Sequence, residues 1–280
     1  MALGAGDSER RGTPPVAIHN PEGTSSPIFA SILEIHLNLD VDTVSGPFVM
    51  TPQHQWTLSD GGEVEITDNN GGSARISLLA RFPISEPDPN TVYRFSNPWS
   101  MALSEDGQTL YAADASRNSL LRVDTATGRW RTIARFPPLP NPTGVGPPVV
   151  DAVPTSVRVY GDQLLVSFLT GFPFVPGNAR VLAVNPETGE TKPFIYWLTS
   201  VTDLLWRPRP GQRPQFFAVE FSQNQSAQPP PPGRLLRFDT AEAQVAVPVL
   251  ITPVSLAFDE STGDLFILEL RGQILRLPIQ

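Results

Sequence analysis

The feature that most constrains the fold is a repeat of about fifty residues, in which short apolar segments are separated by turn residues. Each copy begins with an apolar segment that carries a polar residue at its third position. A turn follows, and then a segment whose consecutive residues are apolar, which predicts a strand covered on both faces. Four copies are clear, over residues 96–136, 154–198, 201–251 and 253–280.

This repeat predicts an all-β chain that forms a β-propeller of about five to six four-stranded blades. We expect a single domain over residues 1–280, with residues 1–26 irregular and residues 41–90 forming a degenerate earlier blade. The last copy ends after its third strand, and an open sheet edge is unfavourable. We therefore expect the N-terminal segment from Pro27 to Asp40 to supply the missing fourth strand and to close the last blade.

The degenerate blade is predicted from two apolar segments joined by turn residues. Gly62 to Ile66 and Ala74 to Ala80 are expected to be strands, and the run from Asn69 to Gly72 is expected to turn between them. The earlier part of this region, from Phe48 to Leu58, has no clear strand pattern. Its structure is therefore not predicted.

The composition excludes several classes of protein. The chain has 20 Lys and Arg against 28 Asp and Glu, a net charge of −8, whereas nucleic-acid binding needs clustered cations. It has no cysteine, which excludes disulfides and thiolate metal sites. Neither a secretory signal nor an apolar run long enough to cross a membrane is visible. We expect a monomer, and the residues predict no compartment.

Two stretches in and around the first and second copies carry a resemblance to a known family. These are Ser96 to Pro142, with the run Ala112-Ala-Asp114-Ala-Ser-Arg-Asn118, and Asp151 to Val181, with Leu169-Thr-Gly-Phe-Pro-Phe174. The chain resembles the ScyD/ScyE family of NHL-type β-propeller proteins from bacteria. Members of that family usually begin with an export signal and a further complete blade, and this chain shows neither.

The resemblance implies a fold and a role as a scaffold or binding protein. It implies binding of a small molecule or a protein partner through the mouth of the propeller channel. It brings no established catalytic activity, so whether the chain is an enzyme stays open, with a non-enzymatic role favoured.

Carboxylates recur at one position of the repeat, the end of the second strand. Asp114, Glu220 and Glu269 hold this position in three copies, and Phe168 holds it in the fourth. Equivalent strand ends of different blades surround the channel mouth, so the three carboxylates are expected to line a ligand site there. Oxygen ligands from several segments suit a divalent cation such as Ca²⁺, so the same three residues are candidate metal ligands.

A second polar set is predicted to face the same ligand. It lies at the third position of the first strands and comprises Ser100, Ser156, Asp203 and Ser255. The structural alternative for both sets is that the carboxylates accept hydrogen bonds from backbone N–H groups of nearby loops and that the first-strand residues tie blade to blade.

A catalytic alternative also follows from the carboxylates. A metal-dependent hydrolase of the gluconolactonase or strictosidine-synthase-like propeller class would use carboxylate and amide ligands around a central ion to activate water. Asp114, Glu220 and Glu269 would supply the charge of such a site, but the amide ligands are not evident in the repeat.

Overall fold

The computed structural model describes residues 1–3, 8–13, 16–19, 26–39, 47–89, 91–239 and 242–279. Five sheets of three or four antiparallel strands follow one another along the chain as the blades of a propeller. The predicted all-β propeller is confirmed. Within the described ranges, no helix is long and apolar enough to cross a membrane.

The first blade contains the N-terminal strands and the helix of the described chain. Its sheet has the order β1-β4-β6-β5, and β2 pairs with β3 as a separate hairpin. The elements are β1 (Ala2–Leu3), β2 (Ser8–Arg11), β3 (Val16–His19), β4 (Ser31–Asn38), α1 (Pro52–Ser59), β5 (Val64–Thr67) and β6 (Ser73–Arg81).

The second and third blades each have four consecutive antiparallel strands, and a short hairpin joins them. The second blade comprises β7 (Pro98–Leu103), β8 (Thr109–Asp114), β9 (Ser119–Asp124) and β10 (Trp130–Arg135), and the hairpin comprises β11 (Leu139–Pro140) and β12 (Val149–Val150). The third blade comprises β13 (Pro154–Tyr160), β14 (Gln163–Phe168), β15 (Ala179–Val184) and β16 (Thr191–Leu198).

The fourth blade repeats this pattern, and the fifth has three strands. The fourth comprises β17 (Val201–Arg207), β18 (Gln215–Glu220), β19 (Gly233–Phe238) and β20 (Gln244–Leu250). The fifth comprises β21 (Pro253–Asp259), β22 (Asp264–Glu269) and β23 (Ile274–Pro278).

Apolar clusters fill the interfaces between consecutive blades, which explains why the second strands are apolar on both faces. Between the second and third blades, the rings of Phe136 and Phe168 meet edge to face with centroids 4.8 Å apart. The first blade also packs its other face against α1, where Leu58 of the helix is fully buried. Burial on both faces of a sheet is the main stabilising contribution in such a stack.

Two parts of the N-terminal region differ from the sequence prediction. The segment from Pro27 to Asp40 does not complete the last blade, because its strand β4 pairs with β6 and β1 of the first blade. Residues 1–26, expected to be irregular, contain the strands β1, β2 and β3. The cause is complementary register: β4 and β6 pair with Leu33 opposite Leu78, Ile35 opposite Ile76 and Leu37 opposite Ala74, so their apolar residues share one face of the sheet.

Candidate functional site

The first strands of the second to fifth blades lie side by side around the propeller axis. Strand β13 lies between β7 and β17, and β17 lies beside β21. The third residues of these strands form one ring around the channel, and they are the predicted polar set Ser100, Ser156, Asp203 and Ser255. Because the strands share one register, the same position of each repeat faces its equivalent in the next blade.

Asp203 is the centre of the hydrogen bonds in this ring. Its Oδ1 accepts from the Ser156 hydroxyl at 2.7 Å and from the Leu204 N–H at 2.8 Å. Its Oδ2 accepts from the Ser255 hydroxyl at 3.0 Å and from the Leu256 N–H at 2.8 Å. One buried carboxylate thus joins the first strands of three blades, as the structural alternative expects.

Arg158 completes this network from the third blade. Its Nη2 lies 2.6 Å from Asp203 Oδ2 and donates to the Leu256 carbonyl at 3.2 Å, and its Nε donates to the Leu204 carbonyl at 2.8 Å. The side chain is 29% exposed, so the cation faces the channel while it neutralises the buried carboxylate. The channel wall therefore carries a charge pair in place of an isolated negative charge.

The second residues of the same strands form a neighbouring ring. The Thr155 hydroxyl donates to the Val201 carbonyl at 2.7 Å, and the Thr202 hydroxyl donates to the Pro253 carbonyl at 2.8 Å, so each threonine binds the next blade. In β7 the equivalent residue is Trp99, which has no hydroxyl and is 49% exposed. A large aromatic ring therefore replaces a structural contact at the channel.

Two adjoining cavities make up the candidate site. The polar cavity measures about 320 Å³, and its walls include Ser100, Arg158, Asp203 and Ser255. The apolar cavity measures about 300 Å³, and its walls include Leu169, Phe221 and Leu270, which follow the second strands. Both cavities share one set of wall residues, namely Trp99, Thr155, Thr202 and Val254. The shared wall makes the two cavities one channel, with an apolar mouth and a polar interior.

The predicted carboxylates at the ends of the second strands each bind a loop of their own blade. Asp114 Oδ1 accepts from the Asn97 N–H at 2.9 Å, Glu220 Oε1 accepts from the Thr199 N–H at 2.7 Å, and Glu269 Oε1 accepts from the Ile251 N–H at 2.5 Å. All three donors lie just before the first strand of the blade. The repeated carboxylate therefore anchors the loop through which the chain enters each blade.

Asp114 and Glu220 differ in how their second oxygen is satisfied. Glu220 Oε2 lies 2.6 Å from Arg234 Nε, whereas Asp114 Oδ2 has no hydrogen-bond partner among the described residues. Burial raises the pKa of the Asp114 carboxyl, and hydrogen bonds from Asn97 and Arg117 oppose this rise. Burial in the fold therefore disfavours ionisation of the Asp114 carboxyl.

These contacts do not bring Asp114, Glu220 and Glu269 together as a metal site. Within the ranges that the structure describes, no three His, Cys, Asp or Glu side chains form a group suited to hold a metal ion. The reason is geometric, because each carboxylate turns towards the loop of its own blade. The prediction of a shared metal site at these three residues is corrected accordingly.

Sequence reasoning missed Trp99 and Arg158 as channel residues. Both lie beside the predicted polar set, at the second position of β7 and the fifth position of β13. Trp99 could have been found from its departure from the repeat, since it occupies a position where two other copies have threonine. Arg158 had no such signal, because its contact with Asp203 crosses between blades.

No family model matches the sequence, and no curated protein matches it. A chain of the nidogen/laminin complex shares 15% identity over 78% of this chain and 71% of its own length, with a TM-score of 0.49. Regucalcin, a calcium-binding protein from Agrobacterium tumefaciens, shares 10% identity over 71% of this chain and 57% of its own length, with a TM-score of 0.45. The computationally designed Ika4 protein shares 10% identity over 65% of this chain and 91% of its own, with a TM-score of 0.40.

Proposed function

We propose that this chain is a propeller scaffold of the ScyD/ScyE type that binds a small amphipathic molecule in the axial channel. The observation that carries the proposal is Trp99, whose exposed ring lies where the apolar mouth meets the polar interior. An aromatic ring at such a boundary offers a large apolar contact to a ligand. The polar interior then selects for a ligand with a hydrogen-bonding end.

The donors of the polar interior define the chemistry of that end. The Ser100 hydroxyl accepts from the Val157 N–H at 3.3 Å, which leaves its own hydrogen free to donate. Arg158 uses Nε and Nη2 in the protein, and its Nη1 makes no hydrogen bond to the described residues. These donors can bind a carbonyl, hydroxyl or sulfonate oxygen of the ligand. The nearby Asp203 carboxylate already neutralises Arg158, so the site does not require a ligand with a full negative charge.

Binding is favoured over hydrolysis by the state of the carboxylates. Asp203 is the carboxylate in the described walls of the two cavities, and it accepts from five donors. Both oxygens of Glu220 are occupied, by Thr199 and Arg234. Asp114 has an unpartnered Oδ2, but it is fully buried and lies in neither wall. A general base needs a free oxygen within reach of the water that it activates. The channel has apolar walls and free hydrogen-bond donors, which are suited to binding a ligand, and its carboxylate has no free oxygen for a general base.

The proposal is tested with the probe 1-anilinonaphthalene-8-sulfonate, which has an aromatic body and one sulfonate. Its fluorescence is titrated with the wild type, with Trp99→Ala and with the control Trp56→Ala, which removes an exposed tryptophan of α1. Loss of the aromatic wall is expected to weaken binding about tenfold, because a central aromatic contact often exceeds 1.4 kcal/mol. Equal binding by Trp99→Ala and the wild type would refute the channel as the site.

A further inference from the structure

Arg180, the second residue of β15, is a half-buried cation without a counter-ion. Its Nε is buried and has no hydrogen-bond partner, and no carboxylate lies within ion-pair distance of it among the described residues. Only Nε is both buried and unpartnered, so the two Nη atoms reach solvent. Burial lowers the pKa of this guanidinium, because taking the group out of water disfavours its charged form.

The fourth blade shows what this arginine lacks. There the equivalent residue, Arg234, places its Nε 2.6 Å from Glu220 Oε2. The equivalent of Glu220 in the third blade is Phe168, whose ring centroid lies 5.8 Å from the Arg180 guanidinium carbon. The third blade thus has the arginine but has a phenylalanine in place of the glutamate. The carboxylate that pairs with Arg234 in the fourth blade has no counterpart beside Arg180.

The strand beside Arg180 is bulged in a way that exposes two aromatic side chains. Ala179 pairs with Leu198 and Val181 pairs with Ile195, so Tyr196 and Trp197 together oppose Arg180. Trp197 has φ +62° and is 86% exposed. A bulky residue in the left-handed region is uncommon, and bulges redirect side chains.

Tyr196, like Trp197, opposes Arg180 across the two strands, and it is 46% exposed. The bulge therefore places two exposed aromatic residues opposite the arginine that has no counter-ion. Arg, Tyr and Trp are the residue types that contribute most to protein interfaces.

We propose that Arg180, Tyr196 and Trp197 form a docking site for an acidic side chain of a protein partner, presented on a segment that also carries an apolar residue. The guanidinium takes the carboxylate, as Arg234 takes Glu220 in the sister blade, and Trp197 covers the neighbouring apolar side chain. This site lies on the outer part of the third blade and does not depend on the channel.

The test uses the peptide Ac-Leu-Glu-Glu-Leu-NH2 and its counterpart with glutamine, titrated calorimetrically into the full chain. Arg180→Leu removes the charge and keeps the apolar stem over Phe168, and it is expected to weaken glutamate-peptide binding about tenfold or more. Trp197→Ala is expected to weaken it several-fold. The matched control Arg131→Leu removes an exposed arginine from β10 of the neighbouring blade and is expected to bind as the wild type does.

Several outcomes would overturn the proposal. They are equal binding of the two peptides, equal binding by Arg180→Leu and the wild type, and no effect of Trp197→Ala. Binding of acetate or inorganic phosphate at Arg180 as tight as that of the peptide would overturn the assignment to a protein partner. Arg180→Leu is expected to keep the melting temperature of the wild type, because Arg180 makes no hydrogen bond or ion pair with the described residues and leucine can still cover the Phe168 ring. Trp99→Ala is expected to keep peptide binding, so failure of the channel proposal would be visible separately.

Discussion

Gly128, in the turn between β9 and β10, lies against the backbone of the first blade. A Cβ at this position would lie 1.8 Å from the Leu79 carbonyl oxygen of β6, and the residue has φ +67°. The Trp130 indole donates to the Arg81 carbonyl at 2.9 Å, so a hydrogen bond holds the backbone of β6 two residues from the contact. Gly128→Ala therefore adds an atom where neither blade has room.

The expected cost has two parts that a control separates. Alanine at a positive φ costs about 1 kcal/mol, and forced overpacking adds about 1 to 3 kcal/mol. Gly107, in the turn between β7 and β8, has φ +72° and no atom within 4 Å of the added Cβ. Gly107→Ala thus carries the backbone cost alone, about 1 kcal/mol, whereas Gly128→Ala is expected to cost about 2 to 4 kcal/mol.

The assay is equilibrium unfolding in urea, followed by tryptophan fluorescence, with the slope of the transition compared between variants. Gly189→Ala provides a repeat of the test, because its Cβ would lie 1.9 Å from the Ile133 carbonyl oxygen of the preceding blade. We expect both tight positions to lose more stability than Gly107→Ala, with unchanged slopes. Equal losses at Gly128 and Gly107 would show that the blades give way at no cost and would refute the argument.

Two further predictions concern buried carboxylates. Asp203→Asn is expected to lower the free energy of unfolding in urea by about 2 to 3 kcal/mol. The new amide NH2 would face a backbone N–H, and Arg158 would lose its counter-ion. The control Glu187→Gln, which removes an exposed ion pair, should lower it by at most about 1 kcal/mol. Because burial raises the pKa of Asp114 in the fold, the folded state keeps a proton that the unfolded state releases, so stability falls as pH rises from the unfolded pKa towards the folded one. Asp114→Asn should remove this fall in melting curves recorded from about pH 4 upwards, and an unchanged pH profile would contradict the assignment.

The repeat predicted the strands of the second to fifth blades because the second strand of each copy is buried on both faces and is therefore apolar throughout. The first blade was harder to predict, since its inner strand β1 lies far from β4 in the sequence and its outer face is covered by α1. The helix has one buried residue, Leu58, and therefore no apolar stripe. The sequence feature that could have predicted the helix is Thr51 followed by Pro52, because Thr51 caps the helix and forms a capping box with His54.

The candidate site was predicted in part, because register shows which residues share a position but not where each side chain turns. Ser100, Asp203 and Ser255 line one channel, since the first strands stand side by side around the axis. The fourth predicted residue, Ser156, is fully buried and donates to Asp203 from outside the cavity wall. The carboxylates share a position equally well and still turn away from one another. Each finds a backbone N–H nearby in its own blade, and a buried oxygen takes the nearest donor.

Departures from the repeat are better guides to ligand sites than the repeat itself. Thr155 and Thr202 hold the same position in two blades, and their bonds to the next blade explain both. A residue that breaks the pattern gives up that contact, so its presence needs another reason. Trp99 breaks the threonine position at the channel, and Phe168 breaks the carboxylate position beside Arg180. The first break leaves a ring open to the channel and the second leaves a cation unpaired, and both lie where a molecule from solvent can reach them.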